Sequence, residues 1–274
     1  MTIEDNLTDL AIQGRSHRAT ARTAGLGRRS ARARLRVPVL AFVVIGALLW
    51  CVAQYAATHF SRDPYFPRPD HVVGGSWFES WARWDAYWYR TIVREGYEYY
   101  PGVQSSVAFF PAYPVVVWLL SGLFPSIFMT GTVVTVICGL IAAVTFHRWC
   151  ALRLSPAAAA TALLALLLYP YAWYLYGPIY ADALCLAATL VAFYAVERDH
   201  LWVAGVAGLV ASASRPVGLV VAVALALRVL ERRNALATTG ASPDEGPAGR
   251  GWAALRAELV RRFSPRSFTR AQAP

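Results

Sequence analysis

The stretch Ser126-Ile-Phe-Met-Thr-Gly-Thr-Val-Val-Thr-Val-Ile-Cys-Gly-Leu-Ile-Ala-Ala-Val-Thr-Phe146 contains no charged side chain. A helix of about 20 predominantly apolar residues is long enough to cross the hydrocarbon core of a bilayer. The rest of the chain is similarly apolar, since 57% of its 274 residues are hydrophobic and only 15% are charged. The mean hydropathy is +0.40. This composition excludes an ordinary soluble domain and predicts an all-α, polytopic integral membrane protein.

Six further apolar runs accompany this one, and together they predict six or seven transmembrane helices. They cover residues 37–57, 107–124, 156–176, 180–196, 201–213 and 217–230. The run at residues 107–124 has two alternatives, because Pro111 and Pro114 lie near its start and proline interrupts a helix. It either spans the membrane normally or is re-entrant and packed within the protein near the outer surface.

The distribution of arginine predicts the orientation of the chain. Eight arginines precede the first apolar run, which puts the N-terminus in the cytoplasm and the loop at residues 58–106 outside. Basic residues also mark the connections at residues 147–155, 197–200 and 231–233 as cytoplasmic. Two apolar runs, at residues 107–124 and 126–146, separate the external loop from the cytoplasmic connection at residues 147–155. Two crossings would return the chain to the outside, so one of these runs is expected not to span the membrane. The eight arginines are Arg15, Arg18, Arg22, Arg28, Arg29, Arg32, Arg34 and Arg36.

Three parts follow from this pattern: a cytoplasmic Arg-rich arm at residues 1–36, a membrane domain at residues 37–233, and a flexible cytoplasmic tail at residues 234–274. The first apolar run has no small-residue cleavage signature after it, so we expect a retained signal anchor. The tail begins with a segment rich in Ala, Gly, Thr and Pro, which is typical of a linker. A short basic amphipathic helix on the inner leaflet is expected at residues 252–263.

The net charge of +10 suits anionic lipid headgroups better than nucleic acid, because the arginines lie in the arm, the short loops and the tail. All 26 basic residues are arginine, which together with many Ala and Val residues indicates a GC-rich bacterial genome. We therefore expect a multi-pass protein of the bacterial plasma membrane. No nucleic-acid partner is predicted.

Cysteine and histidine do not form recognisable metal-binding or disulfide patterns. Cys51, Cys138, Cys150 and Cys185 have no C-x-x-C spacing, so neither a zinc site nor a disulfide framework is predicted. His59 and His71 share the external loop with Asp63 and Asp70. No metal site or certain cofactor is predicted from them, and dependence on a divalent ion stays open.

The external loop contains Trp81-Ala-Arg-Trp-Asp-Ala-Tyr-Trp-Tyr-Arg90, which places one carboxylate among aromatic rings. Projected on one helix, Asp85 lies at the edge of a tryptophan stripe and away from the arginines, so an amphipathic helix at the outer interface is predicted. Burial would raise the pKa of Asp85 towards that of a general base. The alternative is an aspartate that only caps or solvates the helix. The stripe consists of Trp77, Trp81, Trp84, Trp88 and Ile92, opposite Arg83, Arg90 and Arg94.

Two further charges, Asp182 and Arg215, lie within apolar context on the outer side of the predicted topology. A charge at membrane depth costs about 2.5–3.5 kcal/mol on insertion scales, so such residues tend to be functional or paired. Arg215 is a candidate for holding a phosphate, and Asp182 for holding an acceptor hydroxyl. Alternatively, they sit at helix ends near water or pair with each other.

Five short motifs resemble, in order and spacing, those of the bacterial relatives of the GPI mannosyltransferase PIG-V. That family belongs to the GT-C class of membrane glycosyltransferases, and the resemblance extends over about residues 38–230. The motifs are Arg83-Trp-Asp-Ala-Tyr-Trp-Tyr89, Gly96-Tyr97, Ala108-Phe-Phe-Pro-Ala-Tyr-Pro114, Tyr180-Ala-Asp-Ala-Leu184 and Ser214-Arg-Pro-Val-Gly218.

The resemblance implies an inverting transfer of mannose from a polyprenyl-phosphate donor to a glycan or glycolipid acceptor on the outer face. In the GT-C class an aspartate of the first external loop is catalytic, and Asp85 occupies the matching place as general base. Arg215 would stabilise the leaving phosphate. The other residues expected to bind substrate are Arg83, Trp84, Trp88, Tyr89, Tyr113 and Asp182.

Two departures from the family pattern leave alternatives open. The family usually has Glu-Ser where this chain has Asp182-Ala183, and it usually continues through further membrane helices beyond residue 233. The chain could thus be a truncated, inactive copy or a non-catalytic membrane subunit that partners a complete transferase. A lipid carrier or flippase would require more polar residues along a path through the bilayer than Asp182 and Arg215 provide.

Overall fold

The computed structural model describes residues 35–60 and 76–232, and all regular structure in these two ranges is helical. Three 3₁₀ helices occur among them, at Ser106–Ala108, Ser121–Leu123 and Pro170–Leu175. The predicted all-α class is therefore confirmed for this part of the chain. The α-helices are α1 Leu35–His59, α2 Ser76–Glu79, α3 Ala86–Glu95, α4 Ala112–Leu120, α5 Ile127–Cys150, α6 Pro156–Leu167, α7 Asp182–Glu197, α8 Leu201–Ser214 and α9 Val217–Arg232.

Two of the described helices, α1 and α5, are long and apolar enough to cross a membrane. With 24 residues, α5 is about 36 Å long. It begins where Ser126 accepts a hydrogen bond from the Met129 N–H, which satisfies one of the free donors at the helix start. Helices α4, α6 and α7 all pack against α5, so this apolar helix is the centre of the bundle.

The apolar run at residues 107–124 forms only a short helix, α4, which ends in a 3₁₀ turn. Its nine residues extend about 14 Å, less than half of the roughly 30 Å hydrocarbon core. Tyr113 and Val117 are fully buried, whereas Trp118 and Leu119 are exposed on the other side. This length favours the packed or re-entrant alternative over a normal span.

The run at residues 156–176 does not form one continuous helix, contrary to the hydropathy pattern. Helix α6 begins at a Ser155 cap with Pro156 in its first turn, and it ends at Leu167. Pro170 explains the early end, because the residue before a proline avoids helical geometry and Tyr169 has an extended ψ of 136°. The following aromatic segment turns into a separate 3₁₀ helix.

Helices α7, α8 and α9 all pack against one another. Helix α8 ends at Ser214, and Pro216 prevents its continuation. The chain reverses tightly here, since a Cβ on Gly218 would lie 2.0 Å from the Ala211 carbonyl oxygen. Only glycine permits that close approach, which fixes the position of Arg215 between the two helices.

At the C-terminal end of α7, three arginines converge on Glu197, whose side chain is only 9% exposed. The guanidinium groups of Arg153, Arg228 and Arg232 lie 2.7, 2.9 and 3.1 Å from its carboxylate. Burial disfavours the charged form of Glu197, but hydrogen bonds from Arg153 and Arg228 hold its pKa below the ordinary value. The cluster joins α9 to the α5–α6 connection and to the end of α7.

The prediction of one amphipathic helix across the tryptophan stripe is wrong. Helix α2 ends at Glu79, and α3 begins only at Ala86. Between them Trp84 has a φ of 44°, in the left-handed region that a right-handed helix cannot contain. As a result Trp81 is buried beside Trp50, with ring centroids 5.6 Å apart, while Trp84 is 56% exposed.

Gly139→Ala is expected to destabilise the fold. A Cβ at this position in α5 would lie 2.1 Å from the Leu175 carbonyl oxygen, so the 3₁₀ helix would have to move away. Overpacking of this kind typically costs about 1–3 kcal/mol. Thermal unfolding of the purified protein in lipid nanodiscs should show a lower midpoint.

Gly205→Ala is the matched control, because a Cβ at Gly205 in the middle of α8 meets nothing within 4 Å. Alanine is the better helix former by about 1 kcal/mol, so this variant should unfold at the same or a higher temperature. Equal destabilisation by both substitutions would contradict the close packing of α5 on the 3₁₀ helix.

Candidate active site

A cavity of about 690 Å³ opens where the starts of α3 and α7 meet the break between α8 and α9. Three charged side chains, Asp85, Asp182 and Arg215, line it. They come from positions far apart in the sequence, so the fold assembles the charges that sequence analysis singled out separately. The remaining lining residues are mostly aromatic: Trp84, Tyr89, Phe109, Phe110, Trp173, Tyr174 and Tyr180, with Ala108, Ser214 and Pro216.

Asp85 precedes the first residue of α3, but its side chain does not cap the helix. Within residues 35–60 and 76–232 its carboxylate has no hydrogen-bond or ion-pair partner, although its backbone N–H donates to the Tyr180 hydroxyl at 3.1 Å. The capping alternative is therefore wrong for this aspartate. What remains is a half-buried carboxylate that faces the cavity without a protein partner.

The pKa of Asp85 is raised above its ordinary value, primarily because burial disfavours the charged carboxylate. The positive charge of Arg215 opposes this shift, and the negative charge of Asp182 adds to it. The two neighbours thus act in opposite directions on the same group. A carboxyl whose pKa is raised is a better proton acceptor when ionised, which is the property that a general base requires.

Asp182 and Arg215 form an ion pair within the cavity, as the second sequence alternative predicted. Asp182 is the first residue of α7, where the helix dipole favours a negative charge. Arg215 reaches it from the extended residue between α8 and α9. Both side chains keep substantial exposure, 32% and 43%, so the pair contributes little stability and remains accessible to a ligand.

Tyr180 connects the start of α3 with the start of α7. Its hydroxyl accepts a hydrogen bond from the Asp85 N–H at 3.1 Å, and its ring lies edge-on to that of Tyr89 with centroids 6.3 Å apart. Because the hydrogen bond ends on a main-chain atom, it fixes the backbone of Asp85 relative to Asp182, which follows Tyr180 by two residues.

The aromatic wall of the cavity includes residues that sequence analysis did not select. Trp173 lies edge-on to Trp84 with ring centroids 6.0 Å apart. The ring of the next residue, Tyr174, has its centroid 4.2 Å from that of Trp173. Both belong to the 3₁₀ helix that hydropathy assigned to a membrane run. Pro170, immediately before a cluster of aromatic residues, was the signal that this run is interrupted.

Three residues expected to bind substrate lie outside the cavity lining and make other contacts. Trp88 stacks on Phe109 at 6.0 Å, and Arg83 donates through Nε to the Ser80 carbonyl at 3.3 Å. Tyr113 is fully buried and donates to the Gly131 carbonyl at 2.8 Å. In contrast, Asp85, Trp84, Tyr89, Asp182 and Arg215 all line the cavity.

An apolar groove of about 360 Å³ adjoins the cavity. Tyr174 and Asp182 line both spaces, so the groove begins at the charged pair and continues along α6 and α7. Its other lining residues are aliphatic or aromatic: Leu166, Tyr169, Tyr171, Ala172, Leu175 and Leu186. The cavity with its three charged side chains is thus continuous with the apolar groove.

Among residues 35–60 and 76–232, no group of three or more His, Cys, Asp or Glu side chains could hold a metal ion. His71, Asp63 and Asp70 lie outside the described residues. The side chains that can act chemically in the cavity are therefore its carboxylates, the guanidinium of Arg215 and the tyrosine hydroxyls.

Comparison with known protein families identifies a match to most of the chain. The sequence model of the mannosyltransferase (PIG-V) family matches residues 67–235, which include every residue that lines the cavity. No curated protein and no solved structure shows significant similarity to the chain.

Arg215→Gln and Asp182→Asn are expected to move the pKa of Asp85 in opposite directions. Removing Arg215 deletes the charge that lowers this pKa, so it should rise further. Removing Asp182 deletes a charge that raises it and releases Arg215, so it should fall. Infrared titration of the protonated carboxyl band, assigned by its loss in Asp85→Asn, measures both shifts. Shifts of the same sign would contradict this arrangement of charges.

Proposed function

The chain belongs to the mannosyltransferase (PIG-V) family and is a glycosyltransferase of mannosyltransferase type, and from that membership we propose a specific reaction. It transfers mannose from a polyprenyl-phosphate mannose to a hydroxyl of a glycan or glycolipid, with inversion at the anomeric carbon. Asp85 is the general base. The observation that supports this role is an unpartnered, half-buried carboxylate in a cavity that also contains Arg215.

In the proposed step the Asp85 carboxylate accepts the proton of the acceptor hydroxyl while that oxygen bonds to the anomeric carbon. The bond from this carbon to the phosphate oxygen breaks, and its electron pair stays on the phosphate. The lipid phosphate thereby changes from a monoanion to a dianion. Stabilising that developing charge lowers the barrier, because it is greater in the transition state than in the bound donor.

Arg215 is the group proposed to bind the phosphate. A guanidinium has five N–H donors, and one of its nitrogens pairs with Asp182, which holds the group in place. Asp182 also has carboxylate lone pairs that can accept a hydrogen bond from a sugar hydroxyl. Trp84 and Trp173 at the cavity wall offer flat aromatic faces to the mannose ring.

The polyprenyl chain of the donor is proposed to occupy the apolar groove. Because this groove starts at Asp182, a phosphate bound near Arg215 would place its lipid chain at the groove entrance. A mostly apolar extension of this kind suits a lipid-linked donor better than a water-soluble nucleotide sugar. Burying isoprene units there would contribute about 25 cal/mol per Å² of apolar surface removed from water.

The charge distribution supports a multi-pass orientation with the cavity on the outer side of a bacterial plasma membrane and the N-terminus in the cytoplasm. Arg153, Arg228 and Arg232 gather at the far end of α7 from Asp182. Basic residues favour the cytoplasmic side. In this proposed orientation α7, which has 16 residues and is about 24 Å long, would bring its two ends towards opposite faces of the bilayer.

Asp85→Asn is expected to lower mannose transfer by about 10²–10⁴-fold, because an amide cannot accept the proton from the acceptor hydroxyl. The assay measures transfer of label from polyprenyl phosphate [¹⁴C]mannose to endogenous acceptors in membranes that contain the full chain. Asp199→Asn is the matched control, since Asp199 pairs with Arg232 at the other end of α7. This variant should transfer at the wild-type rate.

Undiminished transfer by Asp85→Asn, with normal amounts of protein in the membrane, would remove Asp85 from the mechanism. A wild-type chain that transfers mannose only when a second transferase co-purifies with it would instead support the role of a non-catalytic subunit.

Leu186→Trp should discriminate between donors by chain length. The indole would fill the groove that Leu186 lines, so a long polyprenyl donor should show a KM raised by about tenfold, equivalent to about 1.4 kcal/mol of lost lipid contact. A short-chain donor that does not reach the groove should be unaffected. The control is Leu209→Trp, which enlarges a side chain in a separate apolar groove between α8 and α9. An equal response of long and short donors would contradict the proposed lipid site.

A further inference from the structure

Tyr180 carries a hydroxyl beside the charged groups of the cavity. The side chain is only 9% exposed, and its ring is held edge-on against Tyr174 at 5.1 Å and Tyr89 at 6.3 Å. Neither neighbour leaves the ring room to swing away. Its hydroxyl is therefore fixed beside Asp85, to whose backbone it is hydrogen-bonded.

The Tyr180 hydroxyl accepts a hydrogen bond but donates none to the described residues. A phenol can accept hydrogen bonds and donate one. Tyr180 accepts from the Asp85 N–H at 3.1 Å, but its own hydrogen has no acceptor among residues 35–60 and 76–232. Since Tyr180 lines the cavity, this hydrogen is available to a ligand there that supplies an acceptor.

The chemistry of the cavity restricts what that acceptor can be. The Asp85 carboxylate must stay available for the incoming hydroxyl, and it makes no hydrogen bond with Tyr180. Arg215 already shares its charge with Asp182. A phosphate that gains a second negative charge on leaving therefore needs another donor, and a neutral phenol provides one without adding a charge.

We propose that the Tyr180 hydroxyl donates a hydrogen bond to the phosphate of the lipid donor, alongside Arg215. This assignment rests on the proposed mannosyl transfer and adds a phosphate-binding residue to it. No proton is transferred, so the hydroxyl stays intact throughout the reaction. Because Tyr180 also accepts from the Asp85 main chain, one residue links the position of the base to that of the leaving group. A hydroxyl that accepts one hydrogen bond is also polarised to donate a stronger one.

The test measures equilibrium binding of radiolabelled decaprenyl monophosphate to the full chain in nanodiscs, with no acceptor present. Tyr180→Phe keeps the packed ring and removes the donor, so binding should weaken about tenfold to hundredfold, the range for a hydrogen bond to a charged group. Tyr176→Phe is the control. Its buried hydroxyl has no hydrogen-bond partner among the described residues and lies outside the cavity lining, so binding should not change.

Measurement in an Asp85→Asn background separates direct donation from an indirect effect through the base. If Tyr180 contacts the phosphate, Tyr180→Phe weakens binding by the same factor in both backgrounds. If it only positions Asp85, lipid phosphate binding is unchanged while transfer falls, and the inference is overturned. Wild-type protein that neither binds decaprenyl monophosphate nor transfers mannose would instead overturn the proposed function itself.

Substitution of Tyr180 by 3-fluorotyrosine covers the case in which Tyr180→Phe fails to fold. Fluorine makes the phenol a stronger donor and a weaker acceptor, so a phosphate contact predicts tighter binding than wild type below pH 7. A role limited to accepting from the Asp85 N–H predicts no gain in lipid phosphate affinity and slower transfer. The second result would refute the contact.

Discussion

The site depends on the contact that joins the start of α3 to the start of α7. The Tyr180 hydroxyl accepts a hydrogen bond from the Asp85 N–H, and the Tyr180 ring lies edge-on to that of Tyr89. The hydrogen bond ends on a main-chain atom, so it fixes the start of α3 itself and not only a side chain. Asp85 follows Trp84, whose left-handed φ of 44° is unfavourable by itself. The strained residue persists because the surrounding aromatic packing and this hydrogen bond hold the backbone next to it.

The helix dipole of α7 has opposite effects on the carboxylates at its two ends. Asp182 begins the helix, where the dipole favours a carboxylate, so one partner, Arg215, is sufficient and both groups can stay partly exposed. Glu197 ends the helix, where the dipole disfavours a negative charge, and three arginines surround it. The first end is left accessible to a ligand, while the second is a closed structural cluster. The same helix therefore carries an accessible ion pair at one end and a closed structural cluster at the other.

Sequence reasoning identified the charges of the site but not the backbone that presents them. Asp85, Asp182 and Arg215 stand out because charges are rare in apolar context, and the structure brings all three into one cavity. Hydropathy could not reveal the break at Trp84, since its left-handed backbone arises from tertiary contacts such as that with Trp173. It also merged α6 with the aromatic 3₁₀ helix, because an apolar run looks the same whether or not it is helical. Pro170 was the local sign of that break.

The charged groups of the cavity lie where helices start or are interrupted, and this follows from the hydrogen-bonding needs of the backbone in an apolar protein. A continuous helix uses all its interior N–H and C=O groups, and its side chains point outward around the axis, so it cannot direct several polar groups to one point. Helix starts and breaks expose main-chain groups and redirect the chain. Asp85 at the start of α3, Asp182 at the start of α7 and Arg215 between α8 and α9 all exploit such points. In a lipid environment these interruptions are tolerated only where protein or a water-filled cavity satisfies them. The cavity is thus a structural requirement of the interrupted helices as well as the space that the substrate would occupy.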